Sequence, residues 1–245
     1  MQASLFKING AHDPDRLAAV FRTERRLHVP HFLEPDGAEQ LLEHVRTSQA
    51  WRLVLNSGDK VIELDRSMQD SLGQERTQQL DLAVYAAARE GFQYRYETIR
   101  VPDGEADRKA SGTVLDAFAR FMSEDTSLQF FRTVLDDPEI GFADAQATAY
   151  SPGHFLTAHD DKVAGKNRKA AYVMNLSKSW SADWGGLLAF HNPGQAEVKA
   201  LVPVFNSLNL FAVPQVHSVT MVAPYAPRRR YSVTGWLRTN AAKPD

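Results

Sequence analysis

From about residue 140 onward, turn-forming residues punctuate the chain at short intervals. Ser151-Pro-Gly, Gly165, Gly185-Gly186, Asn192-Pro-Gly, Pro214 and Pro224 to Pro227 mark the breaks. Proline fixes its own backbone and glycine admits conformations closed to other residues, so such clusters end regular structure. The pieces between them read as strands near 144–150, 155–161, 169–176, 186–191, 197–202, 207–212, 217–222 and 229–238. About eight short strands in one block point to a sandwich or a jelly roll.

Before residue 140 the periodicity is mostly helical. Pro35-Asp36 followed by GAEQLLEHVRTSQAW reads as a capped amphipathic helix, with Leu41, Leu42, Val45 and Trp51 on one apolar stripe. Gln74 to Glu90 is a second helix stopped by Gly91, and Ser111 to Met122 and Ser127 to Leu135 are two more. Two stretches alternate like strands, Leu27 to Phe32 and Phe92 to Val101. No Pro/Ser/Gly-rich linker separates the two textures, and no repeat or low-complexity segment is present. The expected architecture is α+β in one domain over 1–245. In it, a mainly helical support over 1–140 packs against a double-stranded β-helix (jelly-roll) core over 141–240. A chain of this length buries roughly 70–75% of its unfolded surface and needs no staple.

Composition removes whole classes of function. Hydrophobic residues make up 43% and charged residues 24%, ordinary for a globular chain, and the net charge of -2 gives no electrostatic reason to bind nucleic acid. The N-terminus lacks a basic region followed by a long apolar stretch. The longest apolar run, Leu82 to Ala88, is interrupted by Tyr85 and is too short to cross a bilayer, so the cytoplasm is the expected location and no membrane partner is expected. The chain has no cysteine, which excludes disulfides, thiolate nucleophiles, iron–sulfur clusters and Cys-ligated zinc. Any metal must be held by imidazole and carboxylate.

The most informative segment is Thr157-Ala-His-Asp-Asp-Lys. On an extended strand His159 and Asp161 point to the same face and Asp160 to the other. A His-x-Asp triplet alone is weak, and a solvated turn explains it equally well. A third group strengthens it: His217 lies 56 residues past Asp161, at the start of a strand after the Phe211-Ala-Val-Pro-Gln turn. A jelly roll can bring its second and seventh strands side by side. Two imidazoles and a carboxylate on one face of a metal, with the other positions open, form the triad of non-haem Fe(II) oxygenases. The usual electron donor of such sites, 2-oxoglutarate, has a distal carboxylate that needs a positive group. In Arg228-Arg-Arg-Tyr-Ser-Val-Thr-Gly-Trp, strand parity makes Arg230 and Ser232 adjacent donors able to grip it together, while Arg228, after Pro227, belongs to a loop.

At this point the run Ala147 to Thr239 resembles the catalytic core of the 2-oxoglutarate and Fe(II)-dependent prolyl hydroxylases, both the hypoxia-sensing and the ribosomal-protein enzymes. The matching pieces are Ala149-Tyr-Ser-Pro-Gly-His, His159-Asp-Asp, Asn175-Leu-Ser-Lys-Ser-Trp, Gly185-Gly-Leu-Leu, His217-Ser-Val and Arg230-Tyr-Ser-Val-Thr-Gly-Trp. Val29-Pro-His-Phe-Leu-Glu-Pro is more loosely similar to the helical support that precedes this core. The resemblance implies that His159, Asp161 and His217 bind iron and that Arg230, with Ser232 beside it, binds the distal carboxylate of 2-oxoglutarate. It implies further that Tyr150 lines the pocket near the metal and that Trp236 forms part of its wall. Asn175 stands where many of these enzymes have a tyrosine that helps hold the co-substrate. The implied cofactors are Fe(II), 2-oxoglutarate and dioxygen, with ascorbate as a supporting reductant. The implied reaction is hydroxylation of a prolyl residue in a peptide or protein, with release of succinate and CO2. The ribosomal-protein enzymes carry a second barrel domain, and this chain ends with the first.

Three rival readings stand beside this one. They are the same chemistry on a free amino acid, small metabolite or non-prolyl residue, a cupin-like metal enzyme without 2-oxoglutarate, and a non-catalytic binding module. The pair Arg230 and Ser232 argues against the cupin-like enzyme, and an intact triad argues against the module. The other histidines read as structural. His28 and His31 face opposite ways on a strand, His44 lies on a helix surface, and His12 belongs to a turn. His191 ends a strand and is not a ligand. His154 is placed in a loop near the entrance, where a substrate contact is an option. Trp180 and Trp184 flank a turn and cap the core.

Overall fold

The computed structural model describes residues 5–239 apart from 59, 193 and 195. The Asn192-Pro-Gly break therefore falls, at Pro193, partly outside the described residues, as do Met1–Ser4 of the N-terminus and residue 240 of the expected core range. In chain order the elements are α1 (Pro14–Glu24), β1 (Arg26–Val29), α2 (Pro35–Thr47), β2 (Arg52–Ser57), β3 (Lys60–Leu64), α3 (Arg66–Glu90) and β4 (Tyr94–Arg100). Then follow α4 (Glu105–Ser111), α5 (Val114–Met122), α6 (Asp125–Leu135), β5 (Ile140–Ala143), β6 (Gln146–Tyr150), β7 (Phe155–His159) and β8 (Arg168–Asn175). A single 3-10 turn (Ala182–Trp184) leads to β9 (Leu188–His191), β10 (Val198–Leu201), β11 (Ser207–Ala212), β12 (His217–Val219) and β13 (Arg230–Thr239).

Local chemistry accounts for the helix limits. Asp13 caps α1 by accepting from Asp15 N and Arg16 N, and Thr113 with Asp116 forms a reciprocal capping box at α5. Proline stands at the start of α2, where its missing N–H costs nothing. That helix ends at Thr47, so Trp51 leaves the expected stripe. The indole is nonetheless buried and donates to Val45 O at 3.0 Å, closing the helix end. Gly73, at φ 69, breaks α3 into two runs.

The strands form a 13-stranded sheet in the order β1-β11-β8-β13-β6-β4-β7-β12-β9-β10, with β2 and β3 attached beside β4 and β5 beside β13. The pairings are antiparallel throughout. The sheet curls into a half-barrel whose outer face carries the helices. Along β13, Val233 and Leu237 enter the large core shared with Phe118, Phe131, Leu41 and Trp51, while the residues of opposite parity face the barrel interior. Burying each such side chain contributes roughly 1.5–3 kcal/mol. At Gly235 a side chain would meet Asp144 O at 2.0 Å, so only glycine lets β13 run this close to the turn before β6.

All eight expected C-terminal strands are present as β6 to β13, with ends within three residues of those expected. The N-terminal half differs from the expected helical support. It supplies β1 to the sheet edge beside β11, places β4 between β6 and β7, and adds the β2–β3 hairpin. The change of texture near residue 140 is therefore no seam in the sheet.

Candidate active site

The pairing of β7 with β12 sets His159 directly opposite His217, with the ring centroids 4.2 Å apart. Each ring is oriented from behind by its own chain. His159 Nδ1 lies 3.0 Å from Thr157 O and His217 Nδ1 lies 2.8 Å from Gln215 O. A carbonyl only accepts, so both Nδ1 atoms carry the proton and both Nε2 atoms present a lone pair. Those two atoms face one carboxylate: His159 Nε2 is 3.3 Å from Asp161 Oδ1, and His217 Nε2 is 3.4 Å from Asp161 Oδ2. The three ligand atoms lie within 4.8 Å of one another.

Asp161 reaches this position by a route that strand parity does not describe. β7 ends at His159, and Asp161 adopts φ 63 in the loop beyond it. The left-handed turn, rather than i, i+2 alternation, aims the carboxylate at both imidazoles. Asp160 is exposed and accepts from Lys162 N at 3.0 Å, stabilising that turn. Burial pushes the Asp161 carboxyl up, but the adjacent imidazoles outweigh it and hold it below the ordinary range. Burial, with His159 adding to it, lowers His217 to about 4. Burial likewise lowers His159, yet the Asp161 carboxylate raises it on balance. An ionised carboxylate beside a neutral, tautomerically fixed imidazole is a donor set that suits a divalent first-row metal. The residues fit Fe(II).

These groups open into a cavity of about 400 Å³. A run of aromatic rings follows β4 inward from the mouth: Phe92 to Tyr94 is 5.7 Å, Tyr94 to Tyr96 is 5.6 Å, and Tyr96 stacks on Tyr150 at 5.3 Å. Burial raises the Tyr96 hydroxyl to about 12 and Tyr150 still higher, so both remain phenols. The floor is Arg230, 1% exposed, with its guanidinium carbon 5.2 Å from the Tyr150 ring. Arg230 makes no ion pair among the described residues, and its Nε has no hydrogen-bond partner. A buried cation without a counter-charge is costly, and burial accordingly lowers its pKa. The cavity floor is thus built to receive an anion, and it lies in the same cavity as the three candidate metal ligands. A dicarboxylic co-substrate fits that arrangement.

Two expected cofactor-binding residues, Ser232 and Asn175, are not among those lining the cavity. Ser232 does not line the cavity: its Oγ is 2.8 Å from Thr148 Oγ1, and Thr148, its partner across β6–β13, is the hydroxyl on the wall. Asn175, the partner of Ser232 across β8–β13, is fully buried; its amide donates to Ser207 Oγ at 3.1 Å and Ser207 O at 3.3 Å, while its Oδ1 has no hydrogen-bond partner. Tyr150 and Trp236 do stand on the wall.

Sequence reasoning passed over Thr148, Tyr94, Tyr96 and Arg168, all on the cavity wall. Thr148 shares strand parity with Tyr150, and the alternation Phe92-Gln-Tyr-Arg-Tyr was visible, so three of these carried a signal; Arg168, at the end of a basic turn, carried none. Of the other histidines, His154 is buried rather than at the entrance, and His44 is half-buried rather than on the helix surface. His191 turns to Ser218 Oγ at 2.8 Å, and His28 to Asn209 Oδ1 at 2.7 Å. His31 lies past the end of β1 at φ 52, and its carbonyl is 3.1 Å from His12 Nε2. Trp180 and Trp184 meet edge to face at 5.4 Å and pack on the cluster that includes Tyr150 and Val222.

Comparison with known proteins agrees with this geometry. Residues 145–238 match the model of the 2OG-Fe(II) oxygenase superfamily. The chain is 34% identical over 102 residues to mouse prolyl 3-hydroxylase OGFOD1, a stretch that is 38% of this chain and 18% of that protein. The chain thus spans under a fifth of the length of the curated relative it matches. The fold superposes on the Pseudomonas putida prolyl-4-hydroxylase with a TM-score of 0.61 at 19% identity, covering 93% of this chain and 100% of that one. It superposes on a Trichoplax adhaerens prolyl hydroxylase, solved with a hypoxia inducible factor peptide fragment, with a TM-score of 0.62 at 17% identity, covering 92% and 90%. Residues 145–238 thus match the 2OG-Fe(II) oxygenase superfamily model, and the chain as a whole has the fold of the prolyl hydroxylases on which it superposes.

Proposed function

We propose that this chain is an Fe(II)- and 2-oxoglutarate-dependent dioxygenase that hydroxylates a prolyl residue of a peptide or protein. The observation that carries the reading is the joint presence, in one cavity, of the His159–Asp161–His217 donor set and the unpaired buried guanidinium of Arg230. A metal site without 2-oxoglutarate would have no use for that cation. When bound, Fe(II) supplies the activation of dioxygen, coupled to oxidative decarboxylation of 2-oxoglutarate to succinate and CO2.

The chain's own residues have separable tasks. His159, Asp161 and His217 hold the metal, with Thr157 O and Gln215 O fixing both imidazole tautomers. Arg230 neutralises the distal carboxylate at the floor, and Thr148 Oγ1 offers a hydroxyl donor beside it. Tyr96 and Tyr150 form an apolar flank that keeps water from the reacting face, and Phe92 and Tyr94 continue it to the mouth, where a pyrrolidine ring can pack against aromatic faces. The prolyl substrate class rests on the mouse relative and on the two prolyl hydroxylases whose fold this chain shares.

The deciding experiment loads the chain anaerobically with Fe(II) and 2-oxoglutarate, adds lysate proteins, and then admits oxygen. Succinate release together with one added oxygen atom on prolines of specific proteins is expected. Succinate released without any oxidised protein would move the substrate to small molecules, and no succinate at all would end the reading.

A further inference from the structure

We infer that Arg168 is a positioning residue for the metal site, acting on Asp161 through its backbone carbonyl rather than through its carboxylate. The inference rests on the reading of Asp161 as a metal ligand. Three observations carry it. Asp161 stands past the end of β7 at φ 63, with no strand pairing to hold its orientation. Arg168 Nη1 donates to Asp161 O at 3.0 Å, spanning the loop from the first residue of β8. The guanidinium carbon lies 3.5 Å from the Trp236 ring, so the plane that makes this hydrogen bond rests on an aromatic shelf.

The shelf is itself fixed. Asp144 Oδ1 accepts from Trp236 N at 2.6 Å, and Asp144 O accepts from Tyr172 Oη at 2.7 Å, pinning both strands beneath Arg168. Arg238 adds an ion pair to Asp144 at 3.4 Å. A line of contacts thus runs from Asp144 through Trp236 and Arg168 to the carbonyl of Asp161. A carboxylate ligand in a left-handed loop needs such a clamp, because rotation about its own backbone would carry it off both imidazoles.

The sign of the effect separates this role from simple electrostatics. Arg168 places a positive charge on the cavity wall, so by charge alone its removal would tighten cation binding. Positioning requires the opposite. In calorimetric titration of the metal-free chain with Mn(II), Arg168→Gln is expected to weaken binding by about 10–100-fold, the range seen when an outer partner of a metal ligand is lost. Arg168→Lys is expected to weaken it less, since an ammonium can reach the carbonyl but cannot lie flat on the indole. Thermal melting of the metal-free proteins reports folding.

A folded Arg168→Gln variant that binds Mn(II) as tightly as the parent, or more tightly, overturns the inference. Should that variant fail to fold, the Lys variant carries the test: weakened binding supports the clamp and parental binding refutes it. Asp161→Ala, run alongside, isolates the underlying reading. If it too binds Mn(II) normally, the metal site itself is misassigned, whatever Arg168 does.

Discussion

His159 and His217 oppose each other across the β7–β12 pairing, and each holds its Nδ1 proton on a carbonyl two residues back in its own chain. The symmetry leaves both Nε2 lone pairs on one side, facing Asp161. His159→Ala or Asp161→Ala should therefore abolish Fe(II)-dependent succinate formation and release the metal, while the circular dichroism spectrum stays that of the parent. Metal content by elemental analysis and succinate by chromatography check this, and parental turnover in either variant would sink the assignment.

Arg230 has two opposed consequences. Truncating one member of a buried charge pair costs about 2–5 kcal/mol of binding, so Arg230→Met should raise the 2-oxoglutarate KM by roughly thirtyfold or more, at about 1.4 kcal/mol per tenfold, and leave Mn(II) affinity intact. The same change removes a buried cation that has no ion pair among the described residues. Apolar replacement of buried charge commonly stabilises by about 1–4 kcal/mol, so the ligand-free variant should melt at a higher temperature than the ligand-free parent. If the variant melts lower and keeps its KM, Arg230 is structural. If Arg228→Ala shows the KM effect instead, the strand phase of β13 is misread.

Thr148 and Ser232 can be told apart by the same assay. Thr148 stands on the cavity wall and Ser232, its partner across β6–β13, lies beside it, their hydroxyls 2.8 Å apart. Thr148→Val should raise the 2-oxoglutarate KM more than Ser232→Ala does. The reverse order would mean that Ser232 is the donor.

Much of this was legible because it depends on local rules. The turn residues after position 140 delimit β6 to β13, and parity along Arg230–Trp236 sorts the residues that face the cavity from those that face the helices. What escaped depends on sheet order. The β2–β3 hairpin turns at Ser57-Gly58, and Gly58 takes φ 59 as a tight turn requires, yet nothing local says that it joins the same sheet through β4. Asn175 illustrates the limit. It shares parity with the cavity-facing Ala171 and Val173, but it sits at the last position of β8, level with Ser232, where Ser207 accepts from its amide. Asp161 is the converse case: the residue was identified through an alternation that its left-handed backbone does not follow.

The depth of Asn175 gives its own prediction. A tyrosine ring introduced at a fully buried position on β8, between β11 and β13, overpacks it, at a cost of typically 1–3 kcal/mol. Asn175→Tyr should lower the melting temperature and give no tighter 2-oxoglutarate binding. Tighter binding without loss of stability would place Asn175 in the co-substrate pocket after all.

His154 sets a pH dependence that is independent of the metal site. Its ring is buried, its Nδ1 has no hydrogen-bond partner, and Arg95 and Arg229 approach it, paired in turn with Asp81 and with Glu97 at 3.0 Å. Burial first, then those two cations, lower its pKa from 6.5 to about 3, against a hydrogen bond with the Ala149 backbone. The unfolded chain protonates this imidazole at about pH 6.5, whereas the folded chain resists until about 3. Stability contributed by the neutral ring is therefore complete above pH 6.5 and falls with pH below it, by up to about 1.4 kcal/mol per unit. His154→Gln keeps a group able to bond Ala149 and removes the titration. Urea unfolding of both proteins between pH 7.5 and pH 5 should show the parent losing stability faster than the variant, with the two curves diverging only below about 6.5. Parallel curves across that range would show that His154 is already solvated or protonated in the native state.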